Sequence, residues 1–278
     1  MPGFSASLDS DLFEPGVQAP ARSKLFCPQP FHLGTTRVEG LVSYLVRLGR
    51  AHSVSPRLLI RREFPFADAA IGKMGYATFF ARDGGAIDGM GELAEIFSKA
   101  VSGLTGMTDL HVMTLRALRN VLPIKGPAMI AKHPKWCPEC IGEMQCCDNE
   151  VYRPLAWSFD LYRTCKRHCR NLVDTCPFCG KQQPFIPNYP DLGKCAHCMA
   201  PLSSKSRVKV GIPSPTDLWL AAAIEDLVFN LQSLGSTATM ERLRIFLEEM
   251  IVRHTGGNRA AFCRQIGLNR WALKGWLS

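Results

Sequence analysis

The residues best suited to chemistry in this sequence are cysteines and one histidine that occur in pairs. In each of four pairs, two residues separate the potential ligands: Cys137 and Cys140, Cys165 and His168, Cys176 and Cys179, Cys195 and Cys198. Two ligands at this spacing lie on one tight turn, so that both side chains reach the same ion, at about 2.3 Å for sulfur and zinc. The eight side chains therefore predict two complete tetrahedral zinc sites, with two zinc ions per chain.

Four protein ligands at each site indicate a structural metal, because a catalytic zinc normally keeps one coordination position open for water. The alternatives are reduced cysteines without metal and redox-active cysteine pairs, although these pairs lack the strand-then-helix context of a redox-active pair. The order of pairing stays open, since consecutive pairs can share an ion or the first and third pairs can do so. Cys169 and His197 lie next to predicted ligands and could substitute for them, whereas Cys146 and Cys147 are surplus.

The sequence offers no set of residues that suits catalysis. It contains no phosphate-binding Gly-Lys-Ser loop, no Gly-x-Ser-x-Gly nucleophile turn and no acidic triad for two-metal phosphoryl chemistry. The histidines His52, His111 and His254 stand alone along the chain. We therefore expect a protein that is not an enzyme.

Length and composition describe a soluble, basic protein. The chain of 278 residues is long enough for about two domains. No apolar run approaches the ~20 residues of a membrane helix, and the acidic first thirty residues do not resemble a signal peptide. We therefore expect a cytoplasmic protein without a membrane partner, and in a reducing cytoplasm paired cysteines bind metal more often than they form disulfides. The net charge of +9 fits a nucleic-acid partner.

Hydrophobic patterning divides the chain into four parts. Residues 1–30, rich in proline and without apolar periodicity, are predicted to form a disordered or extended arm. Residues 31–132 show helical periodicity with the outline of a helix-turn-helix, which is also the outline of any small helical bundle. Their glycine-rich stretch 82–91 predicts a flexible loop. Residues 133–210 form the double zinc module, and residues 211–278 are helical again.

The end of the chain has the pattern of a helix-turn-helix. Asn258 can cap a helix, Gly267 can end it in the left-handed conformation, and Asn269 can cap the helix that follows. The fold class predicted from all four parts is mainly α with a small zinc-built α+β module. It combines a helix-turn-helix-like N-terminal domain, tandem zinc knuckles and a C-terminal helix-turn-helix.

Two groups of side chains are predicted to contact DNA. The first lies on or near the last helix, in a stretch free of acidic residues: Arg264, Asn269, Arg270, Trp271 and Lys274. The second surrounds the second ligand pair: Lys166, Arg167 and Arg170. A surface without acids suits a phosphate backbone. Two alternatives stay open, since the final helices could pack on a protein surface and the second group could offset the negative charge of the thiolates.

Three stretches of the chain together resemble the TniQ family of transposition target-site selectors. They are Val38 to Leu48 with His52 to Pro56, then Leu104 to Leu110 with Met113 to Leu115, then Trp136 to Cys140 with Cys165 to His168 and Cys176 to Cys179. The resemblance spans about residues 31–202 in the family's order. The combination of cysteine pairs is its most specific part.

The resemblance implies a non-catalytic protein that selects or marks the insertion site in transposition. Family members act with an AAA+ ATPase regulator and a transposase, and in RNA-guided transposons they also contact a guide-RNA effector complex. The implied partners of this chain are therefore DNA, the ATPase and, indirectly, the transposase, with a guide-RNA complex and a homo-oligomer left open. A free-standing zinc and helix-turn-helix transcriptional regulator is the alternative from a different class.

Overall fold

A computed structural model describes residues 22–122, 129–147, 150–204, 211–234 and 238–277. Helices, short 3-10 turns and a hairpin make up the regular structure of these residues: α1 (Leu41–Ala51), α2 (Pro56–Ala67), α3 (Ala69–Gly72), α4 (Tyr76–Ala81), α5 (Glu92–Thr105), α6 (Pro138–Cys147), β1 (Thr164–Cys165), β2 (Arg170–Asn171), α7 (Pro215–Leu234), α8 (Met240–Thr255), α9 (Arg259–Ile266) and α10 (Arg270–Leu277). β1 and β2 pair antiparallel. The mainly helical class predicted from the sequence is confirmed for the described residues.

Most of the predicted N-terminal arm, residues 1–21, lies outside the described residues. The described end of the arm is packed against the helices that follow. Leu25 is buried, and its N–H donates to the Leu104 carbonyl at 2.8 Å. In the described ranges, every helix is too short or too polar to cross a lipid bilayer.

The N-terminal helices pack around α1, in which residues 41–49 are all buried. Its apolar stripe explains this burial only in part, since Ser43 and Arg47 are buried as well. Arg47 Nη1 lies 2.6 Å from Glu39 Oε2, and Ser43 Oγ donates to Glu39 Oε1 at 2.7 Å. Burial raises the pKa of the Glu39 carboxyl to about 7, while Arg47 opposes that rise. Because buried charged groups require partners, these three side chains depend on one another.

The first turn of α1 is capped by a distant residue. Gly40 precedes the helix and offers no capping side chain. Instead, Asp88 Oδ1 accepts a hydrogen bond from the Val42 N–H at 2.7 Å, and Ser158 Oγ donates to Asp88 Oδ2 at 2.6 Å. A Cβ at position 40 would lie 2.8 Å from Asp88 Oδ2, so a side chain there would collide with the cap. This buried carboxylate, whose pKa burial raises to about 6, links the start of α1 to the cysteine-rich part of the chain.

The glycine-rich stretch 82–91 is not the flexible loop that its composition predicts. It contains a 3-10 helix at Asp83–Asp88, in which Gly84 and Gly85 are buried. Phe185, from the cysteine-rich part of the chain, packs on these glycines, and a Cβ on Gly85 would lie 2.6 Å from its ring. The prediction was wrong because the glycines provide a contact surface for an aromatic ring that is far away in sequence.

Two separate hydrophobic cores form in the described part of the chain. The larger contains the N-terminal helices, the cysteine-rich segment and α7, which contributes Ala221, Ile224, Val228 and Leu231. The smaller joins α8, α9 and α10 through Leu247, Ile251, Phe262, Cys263 and Leu273. The helical part predicted for residues 211–278 contains α7 together with the last three helices, whereas the buried side chains of α7 belong to the larger core.

Candidate metal centres and nucleic-acid interface

The first cysteine cluster joins the start of α6 to the β1–β2 hairpin. Cys137 immediately precedes α6 and Cys140 lies in its first turn, whereas Cys165 ends β1 and His168 lies in the turn before β2. Their ligand atoms all lie within 4.8 Å of one another. The N-terminus of α6 favours nearby negative charge, which suits the two thiolates placed there. Consecutive ligand pairs therefore share this cluster, and the cross-braced alternative does not occur.

Distances within the first cluster fit a tetrahedral metal site. His168 Nδ1 lies 3.4 Å from Cys137 Sγ, 3.3 Å from Cys140 Sγ and 3.5 Å from Cys165 Sγ. The sulfurs of Cys140 and Cys165 are 3.6 Å apart. Zinc bonds of about 2.3 Å to sulfur and 2.0–2.1 Å to nitrogen place tetrahedral ligands roughly 3.5–3.8 Å apart. A disulfide brings its sulfurs to about 2.05 Å, so the donor atoms suit a metal ion and not a disulfide.

Glu143, on α6, orients the histidine of the first cluster. Its Oε1 lies 2.9 Å from His168 Nε2, the ring nitrogen that does not face the cysteines. A carboxylate in this position fixes the tautomer and orientation of a metal-binding imidazole. Sequence analysis missed Glu143. The available signal was its position three residues after Cys140, which places both on one face of a helix.

The second cluster lies on a ribbon of two small turns. The sulfurs of Cys176 and Cys198 are 3.7 Å apart, as are those of Cys179 and Cys195. These separations match the edge of a tetrahedron of thiolates around zinc. Cys176 and Cys195 are buried, while Cys198 is exposed. The eight predicted ligands thus come together as two sets of four, and their binding of zinc remains a prediction.

Hydrogen-bond donors surround the sulfurs of the second cluster. Gln183 is buried, and its Nε2 lies 3.3 Å from Cys195 Sγ. The backbone N–H groups of Phe178 and His197 donate to Cys176 Sγ and Cys195 Sγ, both at 3.4 Å. Such donors stabilise ionised sulfur. Sequence analysis missed Gln183, and nothing in its spacing marks it as part of the cluster.

The residues that could have substituted for predicted ligands lie outside both clusters. Cys169 is exposed and has a left-handed φ of 49°. His197 Nε2 lies 2.9 Å from the Gln182 carbonyl oxygen. Cys146 and Cys147 are exposed at the end of α6. Each set of four is complete without them.

The basic residues around the first cluster are paired with carboxylates. The pairs are Lys166 with Glu225 at 3.7 Å, Arg167 with Glu143 at 3.1 Å, and Arg170 with Glu139 at 3.0 Å. Pairs whose basic side chain is about half exposed contribute little to stability, but they do neutralise the local positive charge. This arrangement favours the interpretation in which these cations balance charge around the cluster.

The helix caps of α9 and α10 have the hydrogen bonds and the glycine conformation that the sequence predicts. Asn258 Oδ1 accepts from the Ala261 N–H at 3.0 Å, and Gly267 ends α9 with a φ of 66°. Asn269 Oδ1 accepts from the Trp271 N–H at 2.8 Å. The use of these two helices as a DNA-binding helix-turn-helix remains a prediction.

The side chains predicted to contact DNA from this end of the chain are exposed: Arg264, Asn269, Arg270, Trp271 and Lys274. Trp271 exposes 78% of its surface, and Lys274 Nζ lies 5.7 Å from the centre of its ring. Among the described residues, no carboxylate forms an ion pair with Arg264, Arg270 or Lys274. In contrast to the surroundings of the first cluster, this surface carries uncompensated positive charge, which attracts phosphates.

The fold and the two clusters define a mainly helical protein with two complete four-ligand sites of the structural type. A family model of TniQ matches residues 30–172, about half of the chain. The chain therefore belongs to the TniQ family, and the resemblance identified in the sequence is confirmed. A comparison with curated proteins found no match.

The matched range covers the features that tie the larger core together. It includes Glu39, Gly40, Asp88 and all ligands of the first cluster, and it ends before the second cluster. Membership in this family implies a DNA-binding adaptor role associated with transposition. Both clusters are compatible with a bound metal ion.

Proposed function

We propose that this chain is a non-catalytic, zinc-binding adaptor for target-site selection in transposition. One surface binds target DNA or a complex already on DNA, and another surface binds an AAA+ ATPase regulator that recruits the transposase. A guide-RNA effector complex is one form that the DNA-bound complex could take. The observation that carries the proposal is the TniQ match over residues 30–172, supported by two complete ligand sets on the same chain.

The proposed metal at both clusters is zinc in a structural role. Three cysteines with one histidine, and four cysteines, are the donor sets of structural zinc sites. Four protein ligands fill the coordination shell of the ion and leave no position for a substrate. The metal would therefore contribute to the free energy of folding and to no chemical step. The chain's own residues hold the ion, and Glu143 and Gln183 fix the orientation of its ligands.

The proposed DNA surface is the exposed basic face of α10. Arg270 and Lys274 lie one turn apart on this helix, and neither is neutralised by a described carboxylate. The proposed ATPase surface is the N-terminal domain together with the end of the arm that packs on it, where large apolar side chains are exposed: Phe26 at 66% and Phe66 at 79%. Exposed aromatic rings are common at the centres of protein interfaces.

The test is a capture experiment with the double variant Arg270→Ala/Lys274→Ala. Duplex DNA fixed to beads is incubated with the chain, the ATPase and ATP at several salt concentrations. We expect the wild-type chain to bind the duplex and to retain the ATPase, and the double variant to lose most of both. Because each lost phosphate contact removes about 0.9 from the slope of log affinity against log salt, the variant should also show a weaker salt dependence.

A matched control is Arg242→Ala/Arg244→Ala. It also removes two positive charges, but from α8, a helix that contributes to the same small core as α10. It should bind DNA as the wild type does. If the α10 double variant bound DNA equally well, the last helices would have a protein-binding role instead. If the ATPase were captured equally in the absence of the chain, the adaptor proposal would be rejected in favour of a free-standing regulator.

A further inference from the structure

A groove lined by arginines runs between the N-terminal domain and the second cluster. Its first part is a cavity of about 730 Å³ whose lining includes Ser55, Arg57, Arg61, Tyr76, Phe80 and Asn188. Its second part, of about 340 Å³, shares Arg57 and Phe80 with the first and continues past His133, Gln182 and His197. We refer to both parts as the arginine groove. Within the described residues, no carboxylate lines it.

The two arginines are positioned by packing and not by acidic partners. Arg57 Nε donates to the Ile186 carbonyl at 2.8 Å, and its guanidinium lies 5.3 Å from the centre of the Phe80 ring. The guanidinium of Arg61 lies 5.7 Å from the centre of the Tyr76 ring. Neither arginine forms an ion pair with a carboxylate among the described residues. The groove therefore presents two positive charges about one helical turn, or roughly 6 Å, apart along α2.

The groove does not suit a DNA duplex. In a helix-turn-helix, the N-terminal turn of the second helix enters the major groove, and in the α1–α2 pair that turn belongs to α2. Here it is covered, because Ser55 Oγ donates to Asn188 Oδ1 at 2.8 Å and Arg57 donates to Ile186. A major groove cannot approach this turn while segment 186–188 lies over it.

We propose that the arginine groove binds a single strand of nucleic acid. Guanidinium groups match phosphate oxygens in geometry and charge. The amides of Gln182 and Asn188, which also contact Asp174 and Ser55, carry both donors and acceptors, as base edges require, whereas the carboxylates of an acidic peptide would use donors alone. Single-strand sites elsewhere also combine a basic groove with aromatic rings. This site goes beyond the proposed function, which places DNA on α10 alone.

The test is fluorescence anisotropy on the full chain with a labelled single strand of about 15 nucleotides, which is within the span of known single-strand sites. DNA and RNA versions of one sequence are titrated, together with the matching duplex. The variant is Arg61→Gln, and its control is Arg62→Gln, which removes the same charge from the next, exposed position of α2 outside the groove lining. Thermal melts establish that both variants fold as the wild type does.

We expect Arg61→Gln to weaken single-strand binding by about tenfold, the effect of losing one hydrogen bond to a charged group. Its salt slope should fall by about 0.7, the contribution of one phosphate contact on a single strand. Arg62→Gln should change neither quantity, and Arg61→Gln should leave duplex binding unchanged.

Two results of these titrations would overturn the proposal: no single-strand binding by the wild type, or equal effects of the two substitutions. Loss of single-strand binding in Arg270→Ala/Lys274→Ala would also overturn it, since the strand would then lie on α10. If the chain bound the single strand but not the duplex, the single-strand proposal would stand. That result would count only against the proposed function.

Discussion

The two cysteine clusters have the same number of ligands but differ in the polar partners of those ligands. In the first cluster, the polar partner of the histidine is a carboxylate, Glu143 at 2.9 Å. In the second, the polar partners of the sulfurs are donors: the Gln183 amide and two backbone N–H groups. The ligands of the first cluster join separate elements of the larger core, whereas those of the second lie on a local ribbon.

Charge explains the difference in polar partners. With a zinc ion of charge +2, three thiolates give the first site a net charge of −1, and four thiolates give the second a net charge of −2. A neutral imidazole can donate its free N–H to a carboxylate, which strengthens it as a ligand. Four thiolates are stabilised only by donors. The comparison indicates that an imidazole ligand suits a carboxylate partner, whereas a site made of four thiolates depends on hydrogen-bond donors.

The largest effect is expected from removing one ligand of each cluster in turn. Cys137→Ser should release the first metal and unfold the larger core, because the cluster holds α6 to the β1–β2 hairpin. The free energy of metal binding at such a site contributes directly to the free energy of folding. Cys198→Ser, at the exposed corner of the second cluster, should release one metal and leave most of the helical signal intact. Metal analysis combined with far-ultraviolet circular dichroism during heating measures both outcomes.

Wild-type protein prepared without chelator should contain two zinc ions per chain, and each variant one or fewer. Equal loss of helix in both variants would break the comparison, since the second cluster would then be as integral to the fold as the first. One ion or none in the wild type would defeat the zinc assignment for at least one cluster.

A smaller effect is expected where the ribbon that carries the second cluster packs on the N-terminal helical region. Gly85→Ala would place a Cβ 2.6 Å from the Phe185 ring, and overpacking of this kind costs about 1–3 kcal/mol. Gly103→Ala in α5 is the control, since nothing lies within 4 Å of its added Cβ and alanine favours a helix by about 0.5–1 kcal/mol. Denaturant unfolding compares the two. Equal stability would mean that the ribbon moves away from the glycines without penalty.

The smallest effect is expected from exchanging the polar partners of the two clusters by isosteric substitutions. Glu143→Gln should weaken metal binding at the first cluster by about tenfold, because second-sphere partners tune affinity by about 10–100-fold. Gln183→Glu places a buried negative charge beside the Cys195 thiolate and should weaken the second cluster at least as much. Competition with a coloured chelator reports each site's affinity. If Gln183→Glu tightened the second site, the charge explanation would be wrong.

The ligand sets were predictable from sequence because each pair is local. Two residues between ligands define a turn regardless of the rest of the fold, so Cys176 and Cys179 are recognisable without any tertiary information. The same holds for the caps at Asn258 and Asn269, whose partners lie two or three residues away. The order of pairing was not predictable, since it depends on how β1 and α6 pack.

Features that depend on distant partners could not be predicted. The composition of stretch 82–91 favours a loop, and only Phe185, about a hundred residues later, makes its glycines a packing surface. The apolar face of α7 reveals that the helix must pack, but not which core receives it. The role of Gln183 is not recognisable in the sequence, because only the fold brings its amide within hydrogen-bond distance of the Cys195 sulfur.

The capping of α1 by Asp88 has a consequence for the order of events on the ribosome. The start of this helix is completed by residue 88, which is itself held by Ser158, and the Gly40 N–H donates to the Arg153 carbonyl at 3.0 Å. At about 5–20 residues per second, synthesis of the intervening ~120 residues takes roughly 6–24 s. Asp88 is made well before the end of that interval, but it lacks its Ser158 partner until then, so the capping network of the first helix is completed only after the segment with the first metal ligands has been made.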